Sequence, residues 1–368
     1  MIEIKVYNKF NNTIKDFWLQ LEKNAVQTPF HTFDWIKNWY SIVGQPLYNI
    51  KPQIIHISYK EETLAILPLG IRKKFGVKIL EWLGGENTDY MGPIVHSNYY
   101  QNFKDASCWE KIQLALSKFD IIVFDKIEQQ SVDFISRIGL DNFYIYEEIV
   151  NNKIHLNTKF EDYYQTVKKK RRSDLSRSLR RLKEIGDVEF FIAKSFNEKQ
   201  EIIQSMIDQK SDRYRTTGKW NMFKINEYIR FYESLSNLKT NNFKIHCSAL
   251  KINKTIIASH VGFIDNLTFY YIMPANVFGE WSKYSPSILL LKELIEWSAK
   301  MKIIYFDFTL GSEKYKKTWS NYERNIFNIL KVKSFKGSMY LKIILFKNNL
   351  KKSALFMTIY KKIKKINF

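Results

Sequence analysis

Between positions 260 and 315 the sequence holds four side chains of types that move protons beside a bound anion. Asp307 sits in the apolar run Ile303–Phe308, where loss of solvent raises a carboxyl pKa and suits a base. The same position also suits a capping or salt-bridging carboxylate. His260 stands on an otherwise apolar strand, as a proton relay or as a core histidine. Tyr271 and Tyr315 are phenols that protonate a leaving group or simply pack. Ser285-Pro286 opens a helix, and the first-turn N–H groups of Ser287, Ile288 and Leu289 would then face an anion. Alternatively, Pro286 only starts a core helix.

The elements that must position these groups are legible by period. Thr255–Phe263 and Leu267–Met273 are β-branched and aromatic runs around Ile264-Asp265-Asn266, a hairpin signal. Ser285 is the N-cap hydroxyl and Pro286 the first helical residue. Ile288, Leu291, Leu294, Ile295 and Ser298 continue at three-and-four spacing. Ile303–Phe308 follows as a buried strand and Gly311 turns the chain. A crossover of this length implies parallel strands joined in the right-handed sense, flanking a helix start. Such a place commonly holds a phosphate-bearing ligand.

These residues carry a resemblance. Tyr284-Ser285-Pro286-Ser287-Ile288-Leu289-Leu290, Phe306-Asp307-Phe308, Gly311-Ser312-Glu313-Lys314-Tyr315-Lys316 and Trp319 resemble the acetyltransferase domain of the cellulose-biosynthesis type (CelD/BcsL-like) in the GNAT superfamily. Ser287 stands where that family usually has glycine, and the Gln/Arg-x-x-Gly-x-Gly/Ala signature is missing. The resemblance implies acyl-CoA, most simply acetyl-CoA, as donor, held by Ser285, Pro286, Ser287, Ile288 and Lys316 without a metal. It implies Asp307, His260, Tyr271 and Tyr315 as catalytic candidates, with Glu313 orienting an acceptor.

Pro29–Tyr40, Ala65–Leu69 and Leu83-Gly84-Gly85 with Asp89-Tyr90 are similar to other blocks of the same family. Asp89 and Tyr90 then face substrate; on spacing alone the loop is solvated, with Asp89 in an Asx turn. Ile55-His56-Ile57-Ser58 and Ile245-His246-Cys247-Ser248 match within two hairpins. The expected fold is therefore α/β with mixed sheets: tandem GNAT-like domains at 1–150 and 151–335, then a basic tail at 336–368.

The chain has 368 residues, 58 basic against 37 acidic, for a net charge of +21, which favours polyanionic partners. Cys108 and Cys247 are isolated, so no zinc cluster is expected and the chain reads as cytoplasmic. No signal peptide, membrane-length apolar run, P-loop or Ser–His–Asp order is present. Lys168–Lys183 is a cationic helix striped by Leu175, Leu179 and Leu182, with Arg171, Arg172 and Arg177 as candidate phosphate ligands. After Glu323 there is no acidic residue, and lysines alternate with apolar side chains to Phe368. That tail fits an anionic membrane surface at its inner face, or a helix docked on the protein.

The resemblance, with the cationic tail, implies an acyl-CoA-dependent N- or O-acyltransferase acting on a cell-surface glycan precursor. One rival is aminoacyl transfer from tRNA to a peptidoglycan precursor, as in Fem-type relatives of this fold. Another is a non-catalytic RNA- or membrane-binding protein on the same fold.

Overall fold

The computed structural model describes residues 2–25, 27–311 and 313–352. The chain divides into two compact units. The first takes residues up to Glu148 together with those from Ile326 onward; the second takes Ile149–Asn325.

In the first unit the strands Ile2–Tyr7, Lys51–Tyr59, Glu62–Lys74 and Val77–Trp82 pair antiparallel in sequence order. Ile121–Glu128 then runs parallel to Val77–Trp82, and residues 326–332 close the sheet antiparallel to it. Pro68 lies where the strand Glu62–Lys74 changes neighbours, from Ile94–Val95 at Ala65-Ile66 to Trp82 at Leu69. A residue without an N–H is tolerated at such a break, and its carbonyl accepts from the Leu83 amide at 2.8 Å.

The second unit repeats this order. Val188–Ile192, Lys244–Ile252, Thr255–Ile264 and Thr268–Asn276 pair antiparallel. Tyr305–Asp307 runs parallel to Thr268–Asn276, and residues 153–155 pair antiparallel with it. The crossover between the parallel strands contains the helix Pro286–Lys300, which buries Leu289, Leu290, Leu291, Leu294 and Ile295. The fold is thus mixed α/β, with one GNAT-like arrangement in each unit.

The first unit is not contiguous in sequence, whereas the sequence alone places boundaries near 150 and 335. Residues 326–332 complete the first sheet although they follow the second unit in the chain. Strand patterning shows that a segment pairs, not with which sheet, because the partner is set by non-local contacts. The expected tail begins as the helix Phe335–Lys352, whose Tyr340, Leu341 and Ile344 pack on Val77, Ile79 and Ile121. The end of that tail, including Lys361, Lys362, Lys364 and Lys365, lies outside the described residues.

Candidate functional site

The site in the second unit arises from a parallel pair that separates. Thr268–Asn276 and Tyr305–Asp307 are paired only at Thr268–Tyr305, Phe269–Phe306 and Tyr270–Asp307. Beyond Asp307 the chain leaves through Thr309 (φ 53°) and Gly311 (φ 131°), while the other strand continues to Asn276. A cavity of about 390 Å³ opens there, lined by Tyr271, Pro274 and Asn276 from the strand and Ser285–Ile288 from the helix start. Tyr315, Arg213 and Thr217 complete its polar lining with Ser282.

The helix tip is narrower in its offer than the sequence suggests. Ser285 adopts a left-handed conformation (φ 51°) and makes no side-chain cap bond. Its carbonyl instead accepts from the amides of both Ile288 (2.9 Å) and Leu289 (3.1 Å). Ser287 therefore carries the first-turn N–H left without a backbone acceptor among the described residues. One directed N–H plus the positive end of the helix dipole still favours an anion.

Tyr271 and Tyr315 both line this cavity. Burial raises the Tyr271 phenol far above its ordinary value, and Tyr315 and Glu313 add to the effect. Burial, then the charge of Glu313, also raises Tyr315. Both hydroxyls stay protonated at neutral pH and are chemically able to donate hydrogen bonds.

Asp307 departs from the expected base. It is fully buried, 2.8 Å from Lys153 Nζ and 3.6 Å from Arg324, and accepts from Asn151 Nδ2 and the Thr309 amide. Burial alone raises its carboxyl, but Lys153 and Arg324 outweigh burial and hold it below the ordinary aspartate value. It is absent from the cavity wall and acts as the anchor of the strand end.

His260 is buried with its ring stacked on Tyr271 at 4.6 Å. Burial, followed by His246 and Lys210, keeps it far below the ordinary histidine value, so it is neutral. It supports the Tyr271 ring from behind. His246 and His56 likewise occupy strand interiors.

Lys316 does not reach the cavity. Its ammonium is buried against the Leu310 carbonyl at 2.6 Å and Glu313 at 3.1 Å. Gly311 permits this closure twice over, through its positive φ and its lack of a Cβ. A Cβ there would lie 2.3 Å from Glu313 Oε2 and 2.6 Å from Lys316 Nζ. Glu313 thus braces the turn that carries Tyr315.

Other expected ligands lie elsewhere. Tyr90 is fully buried in the first unit, edge-on to Phe30 at 5.7 Å, so it is a packing residue. Asp89 is half-buried and acts electrostatically on Lys126, whose ammonium binds the carbonyls of Gly85, Glu86 and Thr88. Arg171, Arg172 and Arg177 belong to the helix Lys169–Ile185 and do not line the cavity. Arg172 is bound to the Val167 carbonyl and Gln165, while Arg177 is exposed near Asp174. This helix does pack against the short Glu280–Tyr284 turn that leads into the cavity rim.

Arg213 is the cation the sequence reading missed. The helix Phe196–Thr217 carries Arg213 in its penultimate turn and ends at the left-handed Gly218. Arg213 and Thr217, four residues apart on one helix face, both reach the cavity. Continuing the helical period to the left-handed Gly218 cap is the signal that would have found them. Among the described residues no group of His, Cys, Asp and Glu is arranged to hold a metal ion.

Residues 169–317 match the family profile described as an acetyltransferase (GNAT) domain. No curated protein matches the chain by sequence. Among solved structures, FemX is similar with a TM-score of 0.59 and 9% identity, over 93% of this chain and 100% of that one. The C-terminal domain (DUF2156) of a putative lysylphosphatidylglycerol synthetase from Agrobacterium fabrum gives 0.54 and 10% identity, over 91% and 97%. L-PGS from Bacillus licheniformis gives 0.53 and 11% identity, over 92% and 97%. At these identities the likeness is one of fold.

Proposed function

We propose that the second unit transfers an acyl group from a CoA thioester to an amine or hydroxyl of a cell-surface glycan precursor. The observation that carries this reading is the cavity in which the Pro286 helix tip, Arg213 and the two phenols Tyr271 and Tyr315 meet. Its location inside the segment that matches an acetyltransferase domain supports it. The Ser287 N–H and Arg213 suit the donor's phosphates. The acceptor nitrogen or oxygen attacks the thioester carbonyl, a new bond to carbon forms, and the carbon–sulfur bond breaks. A neutral phenol donates to the developing oxyanion, and the other protonates the leaving thiolate. The acceptor's proton goes to solvent, since Asp307 is held in its ion pairs, and solvent returns a proton to the phenolate left by the thiolate's protonation.

A thermal-shift series with acetyl-CoA, longer acyl-CoAs and free CoA tests the donor. Stabilisation that requires the CoA phosphates supports the reading; no shift with any of them rejects it.

A second reading is favoured by the exposed cations of the helix Lys169–Ile185, which borders the turn leading to the cavity. In it the donor is an aminoacyl-tRNA and the acceptor a peptidoglycan precursor. Binding of charged tRNA would weaken steeply with salt, in proportion to the phosphates contacted. If neither donor class binds, a non-catalytic RNA- or membrane-binding role remains.

The membrane part of the proposal rests on the helix Phe335–Lys352. Opposite the face packed by Tyr340 and Ile344, it exposes Phe335 (81%), Met339 (56%), Ile343 (41%) and Phe346 (63%). Lys336 and Lys342 lie on the same helix, so an apolar row with cations suits an anionic lipid surface. Among the described residues no helix is long and apolar enough to cross a membrane. The chain would then work on the inner membrane face.

A further inference from the structure

The first unit has its own separating parallel pair, differently furnished. Val77–Trp82 and Ile121–Glu128 pair only at Ile79–Ile121, Leu80–Ile122 and Glu81–Val123, and Ile121–Glu128 then runs on. The crossover helix Cys108–Ala115 offers no open tip: the Trp109 amide donates to Ile138 O at 2.7 Å and the Ser107 amide to Asp105. An anion has little to hold it there.

Two adjoining cavities, of about 160 and 320 Å³, share Arg72, Glu81, Val123 and Asp125. Arg72 is paired with Glu81 at 2.8 Å, whereas Asp125 accepts from the Tyr146 hydroxyl. Lys126, also on the wall, has its ammonium committed to the loop carbonyls described above. Lys74 and Glu147 line the larger cavity. Burial raises both carboxyls, Glu81 to about 7, against the opposing effect of Arg72 on Glu81 and the Tyr146 hydrogen bond on Asp125. A positive group arriving beside them would relieve that cost.

The smaller cavity adds a second, independent mark. Trp39 and Trp82 line it, are 1% and 3% exposed, and leave their indole N–H groups without an acceptor among the described residues. Arg72 Nε is also without a partner there. Buried donors in a native fold ordinarily find an acceptor. Tryptophans in the lining, their N–H groups without an acceptor among the described residues, and the carboxyls of Glu81 and Asp125 together suit a ligand with an apolar ring face, several oxygens and one positive charge.

We propose that this cavity of the first unit is a second binding site, taking a small amine-bearing polyol of the hexosamine class. The ammonium sits between Asp125 and Glu81, and ring oxygens accept from the two indoles. The assignment is independent of what the second unit transfers.

Glucosamine and N-acetylglucosamine are the probes, titrated at pH 7 into the full chain labelled with 15N. The indole signals of Trp39 and Trp82, assigned through Trp39→Phe and Trp82→Phe, are the readout. Glucosamine should shift both signals saturably and bind roughly tenfold more tightly than its N-acetyl form, which lacks the charge. Asp125→Asn should abolish that preference; Glu81→Gln is read the same way if the first variant fails to fold. The second unit's Tyr271→Phe should leave it intact, which separates this site from the transferase reading. No indole shift with glucosamine, or equal affinity for the two sugars, overturns the proposal.

Discussion

Lys153 places its ammonium 2.8 Å from the Asp307 carboxylate, joining a residue at the start of the second unit to one near its end. Both lie on the antiparallel pair that closes the sheet, directly opposite each other. Arg324 approaches the same carboxylate at 3.6 Å and also donates to Asn151 Oδ1 at 3.0 Å. The strand end from which the cavity opens is therefore fixed by charge rather than by packing alone.

Asp307→Asn should then cost stability more than chemistry. Removing one member of a buried ion pair leaves its partners uncompensated, at about 3–5 kcal/mol. Chemical denaturation should show a loss of that order, while turnover per folded molecule stays within a few-fold. A large fall in turnover with unchanged stability would return Asp307 to the role of base.

The two phenols should behave differently from the histidine behind them. Tyr271→Phe and Tyr315→Phe each remove a proton donor, so kcat should fall by roughly 10²-fold with donor KM little changed. His260→Phe keeps the stacked ring and should retain most activity. Steady-state kinetics on the three variants distinguish a donor pair from a histidine relay.

Ser287→Asp puts opposite signs on two measurements. A carboxylate in the first turn favours the helix dipole, so thermal stability should hold or rise slightly. The same charge beside the open N–H repels an anionic donor, and donor affinity should drop roughly tenfold. Parallel losses in both would mean that the residue is structural only.

Buried histidines give the second unit an acid limit. His246 is lowered to about 3 and His260 far below 6.5, burial being the main cause in each. Both bind protons more readily unfolded than folded. Their stabilising contribution is complete above the unfolded value near 6.5 and is lost as pH falls toward the folded values. Each should add a slope of about 1.4 kcal/mol per pH unit below 6.5. Urea melts from pH 7 to 4 on His246→Phe should show a shallower decline than wild type.

The exposed row on the C-terminal helix predicts lipid binding that needs both charge and apolar contact. The full chain should co-sediment with phosphatidylglycerol vesicles and much less with phosphatidylcholine. Ile343→Ser with Phe346→Ser should release it. Binding unaffected by the double substitution would place the contact elsewhere.

Much of the site's scaffold was legible because it rests on local signals. The hairpin, the helix opening at Pro286 and the strand ending at Asp307 follow from periodicity and one proline, and the structure places all three. Tyr271 lies on the hairpin and Tyr315 on the short helix Lys314–Trp319 that follows the strand. What sequence could not show was partnership. An apolar setting for Asp307 implies a raised pKa only until Lys153 and Arg324 are known to face it, and neither is near it in sequence. Lys316 resembled a phosphate ligand until its short reach to Leu310 O was visible. Arg213 carries no local signal of a site, since only the course of the helix Phe196–Thr217 past the cavity brings it there.

The borrowed strand at residues 326–332 reverses the order in which the halves can mature. The later half has all its pieces once residue 325 has emerged from the ribosome, while the earlier one must wait for the segment after it. Until then Ile121–Glu128 presents an unsatisfied edge to every other nascent chain nearby. A stop codon just past position 325 would thus leave the amino-terminal half without the strand that pairs with Ile121–Glu128.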